Sequence, residues 1–267
     1  MSGPSTPPAR HLVIPVGGQR LAATVWDATN HRGGADAVVL LHEGLGSIGQ
    51  WRDLPAEIAT RTGLTVVAYD RAGHGRSTPG PSTHVPEFMH HEAQDVVPAV
   101  LDHLDITAPV LVGHSDGASI ALISAGEHTS LPAAICAIAP HVYVEDVCLL
   151  GIRAIADQRD RVVAGLARYH DNPDLAFDRW RDVWLSSAFS EWNITALLPD
   201  IQCPVVAVQG DQDEYATDAM LSAIATMVPN ARTSLIPACG HVAHRDQPAA
   251  VLGAIATAVE LAAVAAQ

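Results

Sequence analysis

Apolar residues in this chain fall into short unbroken runs, separated by longer stretches in which they recur at helical spacing. The VVLL run before His42 and the LTVVAY run before Asp70 are continuously apolar, as strands buried on both faces of a sheet are. The pattern predicts strands at His11 to Pro15, Arg20 to Asp27, Ala37 to His42, Leu64 to Asp70, Pro109 to Gly113, Ala133 to Ala139, Pro204 to Gln209 and Thr233 to Ile236. Helices are predicted over Trp51 to Thr62, Pro86 to Leu104, the stretch after Ser115, Ala216 to Met227, and Gln247 to the C-terminus. Strands alternating with helices in this way form a mostly parallel sheet covered by helices, an α/β fold. Gly17-Gly18 between the first two runs reads as a hairpin turn, so the sheet is expected to open with an antiparallel pair.

From about His141 to Asp200 this rhythm breaks. No run there makes a convincing strand, and the segment gathers Tyr169, Phe177, Trp180, Trp184, Phe189 and Trp192 with six of the fifteen arginines. A helical insertion accounts for this. Its aromatics have two compatible uses, packing onto the core and lining a pocket. The expected organisation is a core of residues 1–140 and 200–267 with a helical cap at 141–199.

Composition narrows the possible partners. A chain of 267 residues with 48% hydrophobic and 16% charged residues can build one large domain. A formal charge of −14 argues against nucleic acid, which demands clustered cations. Every cation is an arginine, which excludes a lysine nucleophile. Cys136, Cys148, Cys203 and Cys239 lie far apart with no metal-ligand spacing, and read as inert thiols. His84, His90 and His91 sit together without a partner pattern, so solvated or capping roles are expected and no metal. The start, MSGPSTPPAR, has no charged region followed by an apolar one, and the alanine-rich end carries Glu260. A cytoplasmic protein with no membrane partner and no cofactor is therefore expected, acting on a small-molecule substrate, with a homo-oligomer left open.

The chemistry concentrates around Ser115. Val110-Leu-Val-Gly-His-Ser-Asp-Gly-Ala contains Gly-x-Ser-x-Gly at Gly113, Ser115 and Gly117, after an apolar strand and before a run of small residues. A serine on a tight strand-to-helix turn takes strained backbone angles and needs small neighbours two positions to either side. The helix that follows presents its N-terminus to developing negative charge.

With this elbow the sequence resembles the α/β-hydrolase family, over nearly all of residues 11 to 140 and 200 to 267. The resemblance implies an eight-stranded, mostly parallel, doubly wound sheet with a variable cap after the sixth strand. It also implies that the Gly44 N–H, in His42-Glu-Gly-Leu-Gly46, and the Asp116 N–H form an oxyanion hole. Glu43 stands where a glycine is usual, and is either a substrate contact or a tethering carboxylate. Asp70-Arg-Ala-Gly-His-Gly-Arg-Ser77 matches a turn in which Asp70 and His74 serve as scaffold. The family's Gly-x-x-Asp after the seventh strand selects Asp213, and Cys239-Gly-His241 supplies the histidine. Ser115 is then the nucleophile, His241 its general base, and Asp213 the residue that orients the imidazole.

Other positions remain candidates. Asp211 reads as a turn cap, and Asp146 is a more distant candidate acid. His114 and Asp116 flank the nucleophile, His114 in a packing role and the Asp116 side chain as a charge at the helix N-terminus. Glu43, His114, Trp180 and Trp184 are the candidate substrate contacts, with His141 and His244 able to approach the pocket. The six arginines of the insertion are either solvated or one of them pairs with a substrate carboxylate. A serine at the elbow implies acyl transfer through an acyl-enzyme. A small carboxylic ester or lactone leads. Carbon–carbon bond hydrolysis of ring-cleavage products, cofactor-free oxygenation and non-catalytic ligand binding are the alternatives.

Overall fold

The computed structural model describes residues 7–27, 34–127 and 132–266. The first six residues of the N-terminal segment, and Gln267 at the end of the predicted last helix, lie outside the described residues. All eight predicted strands form, with ends shifted by one or two positions: β1 Ala9–Val16, β2 Gln19–Trp26, β3 Ala37–Leu41, β4 Thr65–Tyr69, β5 Pro109–His114, β6 Ala134–Ile138, β7 Val205–Gly210 and β8 Ala231–Ile236. They make one sheet in the order β1-β2-β4-β3-β5-β6-β7-β8. β2 pairs antiparallel with both β1 and β4, and every other pairing is parallel. The β1–β2 connection is the two-glycine turn, with φ of 53° at Gly17 and 80° at Gly18. Positive φ at both positions matches the right-handed twist of the flanking strands, and glycine adopts it without steric cost.

The continuously apolar runs have a simple cause. Val39, Leu41, Val67, Leu111, Ile135 and Ala207 pack on one side of the sheet, and Val38, Leu40, Val66, Val110, Cys136 and Val206 on the other. Successive side chains of a strand point to opposite faces, and here both faces are covered. Helices α1 (Leu54–Thr62) and, late in the chain, Pro248–Ala265 cover the second face. The first is covered by α2 (Phe88–His91), α3 (Val97–His103) and α4 (Asp116–Glu127). The Pro248–Ala265 helix is long and apolar enough to cross a membrane by length and composition. It buries Val251, Ile255, Ala258, Val259 and Ala262 against the sheet and leaves most of its other residues partly exposed.

Three predicted helices differ in detail. The one placed from Trp51 starts at Leu54, because residues Ile48–Trp51 form a 3-10 turn and Arg52 takes a left-handed conformation with φ of 53°. The helix placed over Pro86 to Leu104 is interrupted by a π turn at Glu92–Val96 between α2 and α3. The helix placed from Ala216 starts at Ala219, since Thr217 is held by the Glu145 carboxylate through its N–H (2.8 Å) and hydroxyl (2.6 Å).

Between β6 and β7 the chain forms α5 (Asp146–Ala156), α6 (Arg159–Leu166) and α7 (Pro173–Trp184), then a 3-10 turn at Thr195–Asp200. The remaining helices are α8 (Ala219–Met227), α9 (Ala243–Asp246) and α10 (Pro248–Ala265). The segment between β6 and β7 has one isolated bridge, Tyr143 to Asn193. Of its six arginines, Arg153, Arg161 and Arg168 are exposed as expected, and Arg179 departs from that reading. Arg179 is buried and donates to the carbonyls of Ala72 (2.6 Å) and Pro81 (3.0 Å), fastening α7 to the loop after β4. Burial, with the nearby Arg71 charge, lowers its pKa to about 10.

Candidate active site

Ser115 sits between β5 and α4 with φ of 52°, in the left-handed region. A non-glycine residue there is strained, and the strain is held by the Ser115 N–H donating to the Ile138 carbonyl (2.9 Å) while its own carbonyl accepts from Ala118 (2.8 Å). The neighbours have no room for side chains. A Cβ on Gly113 would overlap the Gly117 backbone, and a Cβ on Gly117 would overlap the Leu41 carbonyl. Those two glycines let α4 start directly against β3 and β5.

His241 follows β8, and Asp213 follows β7. The Nδ1–H of His241 donates to both carboxylate oxygens of Asp213, at 2.9 and 3.0 Å. The side chains are almost fully buried, with 6% of His241 and 1% of Asp213 exposed. Burial alone lowers the histidine pKa, but the Asp213 hydrogen bond and charge outweigh it, and the net shift is upward. Burial likewise opposes ionisation of Asp213, yet its bond to His241 holds its pKa below the ordinary value. Asp213 also accepts from the Tyr215 N–H (2.9 Å), which fixes the carboxylate.

Neighbouring acids take other partners. Asp211 accepts from the Cys239 N–H (3.3 Å). Glu214 accepts from the backbone N–H of His241 (3.1 Å), a positioning contact missed in the sequence although Glu214 adjoins the acid. Asp146 is exposed in the first turn of α5, and the carboxylate on the His241 ring is that of Asp213.

Ser115 and His241 open onto one cleft of about 560 Å³, its mouth included. Among the described residues the Ser115 hydroxyl makes no direct hydrogen bond to the His241 ring. Such bonds often tighten only when substrate arrives. Glu43, Gly44, Asp116, Trp180 and Trp184 also line the cleft, together with Leu45, His141, Cys148, Ile152, Glu214, Tyr215 and Val242. Trp180 rests so closely on Gly44 that any Cβ there would collide with the indole.

The loop after β3 is pinned through its carbonyls. His42 Nδ1–H donates to the Glu43 carbonyl (2.7 Å), His74 Nε2–H to Gly44 (2.9 Å), and His170 Nε2–H to Leu45 (3.0 Å). Asp70 accepts from the N–H groups of Ile48 (2.7 Å) and Arg76 (2.9 Å). Asp70 and His74 thus hold backbone, and so does His170, which carried no sequence signal because its partners, the Leu45 carbonyl and the Gly75 N–H, come from distant segments.

Several expected contacts fall elsewhere. His114 does not line the main cleft; it is buried behind it, donating from Nε2 to the His241 carbonyl (2.9 Å), with its pKa lowered by burial to about 4. His244 packs against Trp51 and His114 and stays outside the cleft. No arginine lines the cleft among the described residues, so none of the six in the insertion meets a substrate carboxylate there. The Asp116 side chain stands in the first turn of α4, as expected, but out of solvent. It is buried, 3.7 Å from Arg71, and burial raises its pKa to about 6. His84 stacks on Phe88 instead of standing in solvent.

The sequence model of the alpha/beta hydrolase family matches residues 38–254. Among curated relatives, the chain is 28% identical to human serine hydrolase BPHL over 188 residues, covering 68% of this chain and 64% of that protein. It is 26% identical to esterase YbfF of Escherichia coli (strain K12) over 242 residues, covering 82% and 91%. Among solved structures, proline iminopeptidase of Mycobacterium smegmatis superposes with a TM-score of 0.74 at 20% identity, over 97% of this chain and all of that one. The strand order, the serine on its strained turn and the matched span of sequence agree: this chain belongs to the alpha/beta hydrolase family.

Proposed function

We propose that this hydrolase cleaves small carboxylic esters or lactones through an acyl-enzyme on Ser115. The observation that carries the reading is the buried Asp213–His241 pair, facing the same cleft as a serine held at a positive φ. With its Nδ1–H engaged by Asp213, His241 presents Nε2 as the base. It takes the proton from Ser115 as the hydroxyl oxygen attacks the carbonyl, then returns it to the leaving alcohol. Water, deprotonated by the same ring, releases the acid. The N–H groups of Gly44 and Asp116 stabilise the oxyanion of each tetrahedral intermediate. Residues 141–199 act as a cap, with Trp180 and Trp184 covering the apolar part of the substrate.

The charge of the cleft favours esters and lactones over ring-cleavage dienoates. Glu43, Asp116 and Glu214 line it with no facing arginine among the described residues, a poor setting for a substrate that carries carboxylates. The relatives named as a serine hydrolase and an esterase agree with this reading.

The test is hydrolysis of an aryl-ester and lactone panel by wild type and Ser115→Ala. The alanine variant should lose on the order of 10⁴ to 10⁶ in kcat, and a fluorophosphonate should label wild type at Ser115. Labelling elsewhere, or an alanine variant that keeps a tenth of the wild-type rate, overturns the assignment.

A further inference from the structure

His114 is positioned as something other than packing. Its Nε2 lies 2.9 Å from the carbonyl of His241. A carbonyl can only accept, so Nε2 carries the hydrogen, and in the neutral ring Nδ1 is a bare lone pair. The group facing Nδ1 is Oε2 of Glu43, at 3.9 Å, beyond hydrogen-bond range and itself an acceptor. The third member is His241. Its Nδ1–H is committed to Asp213, which leaves Nε2 as the other lone pair.

One donor atom from each of Glu43, His114 and His241 lies within 4.8 Å of the other two. Three electron-rich atoms converge, and a cation placed among them would replace their repulsion with three bonds. Two imidazole nitrogens and one carboxylate oxygen suit zinc-like ions and not magnesium or calcium, which favour oxygen-only shells. Tetrahedral bonds of about 2.0 to 2.2 Å put ligand atoms roughly 3.4 Å apart, so the set must draw together from separations of up to 4.8 Å. Glu43 can supply that movement, since its side chain keeps 22% of its surface exposed and lines the open cleft.

We propose that Glu43, His114 and His241 form a binding site for a divalent transition-metal ion of the zinc class, and that occupancy inhibits the enzyme. A nitrogen lone pair given to the metal is no longer available to take the Ser115 proton. The inhibitory consequence rests on the hydrolase reading given above; the binding does not. Glu43, at a position where glycine is usual in the family, is then the residue that makes this hydrolase metal-sensitive.

The test uses full-length, tag-free protein stripped with EDTA and dialysed. Calorimetric titration with ZnCl₂ should show about one ion per chain bound in the micromolar range, and MgCl₂ should give no binding heat even at millimolar levels. Glu43→Gln and His114→Asn, each checked for folding by circular dichroism, should each weaken Zn²⁺ binding by about tenfold or more. In parallel, Zn²⁺ should inhibit p-nitrophenyl butyrate hydrolysis and slow fluorophosphonate labelling of wild type, reversibly on adding EDTA. Glu43→Gln should need correspondingly more Zn²⁺ relative to its own metal-free rate. Absence of binding heat, or unchanged affinity in folded Glu43→Gln, overturns the site. Stoichiometric binding that leaves turnover untouched overturns the inhibition. If wild type turns over no ester at all, the hydrolase reading fails, and calorimetry still decides the site.

Discussion

Asp211, Asp213 and Glu214 stand within one short loop, yet each has a different partner: the Cys239 N–H, the His241 ring and the His241 backbone. The consequences of substitution should separate accordingly. Asp213→Asn keeps the shape but offers the imidazole the wrong partner, and in serine proteases of the same triad logic that change costs about 10⁴ in kcat. Asp211→Asn weakens one turn contact and should cost less than about tenfold. Steady-state rates on folded variants decide this, and a working Asp213→Asn beside a dead Asp211→Asn would reverse the roles. The same pair sets the pH profile. On the proposed mechanism His241 must be neutral to accept the Ser115 proton, and its pKa is raised, so kcat/KM should fall as pH drops through a value above that of free imidazole. Asp213→Asn removes the groups that raise it, and the acid limb of its residual activity should move to lower pH.

Helix α4 begins with no clearance from the sheet, and that closeness belongs to the element as a whole. Gly117 lies against the Leu41 carbonyl, so Gly117→Ala must push α4 away from β3. A loss of about 2 kcal/mol or more is expected, read as a fall of several degrees in the thermal midpoint together with lost activity. Gly253 in α10 has nothing within contact range of a Cβ. Gly253→Ala should therefore raise the midpoint slightly, by about 0.5 to 1 kcal/mol of helix propensity. If both substitutions behave alike, crowding is not what requires glycine at the elbow. Helix α7 is tied down by Arg179 and places Trp180 and Trp184 in the cleft. Trp180→Ala and Trp184→Ala should shift kcat/KM ratios across an ester series more than they affect the smallest ester. Equal losses for all esters would indicate general destabilisation instead.

At the scale of the whole molecule, the buried histidines dominate the acid response. Burial lowers the pKa of His42, His74, His84, His114, His141, His170 and His244. Each is neutral when folded and takes up a proton on unfolding below its ordinary pKa of about 6.5. The unfolded chain then binds more protons, and stability falls as pH falls. The contribution is complete above about 6.5 and is lost on the way down toward each folded value. His241, with its raised pKa, works in the opposite direction, as do the raised carboxyls of Asp70, Glu92 and Asp116, the last shifted to about 6. The histidines outnumber them, so calorimetric midpoints should decline on going from about pH 7.5 to about 5.5. A flat or rising midpoint would mean that these rings are solvated.

What the residues determined by themselves is what local spacing encodes. The five strands β3 to β7 were legible because burial on both faces turns a strand into an unbroken apolar run, and Gly17-Gly18 marked the β1–β2 hairpin because few other residues take those angles. The Gly113-Ser115-Gly117 elbow was legible as a pattern, although only the Gly113 clash is local, while Gly117 is required by the Leu41 carbonyl of β3. The spacing from Gly210 singled out Asp213 by resemblance, and the structure sets that carboxylate on the ring of His241. Tertiary structure decided every contact between segments far apart in the chain. Arg179 reads as a surface cation on a polar helix until the carbonyls after β4 arrive to meet it. His114 reads as a neighbour of the nucleophile, but the pleat of β5 turns its ring behind the cleft toward the His241 carbonyl and Glu43. The pinning of the loop after β3 by His74 and His170 depends on which backbone carbonyls the folded chain brings within 3 Å of each ring. Local pattern carries sterics and burial, whereas the partner of a buried polar group is set by packing, because any satisfied donor or acceptor of suitable reach leaves the same trace in the sequence.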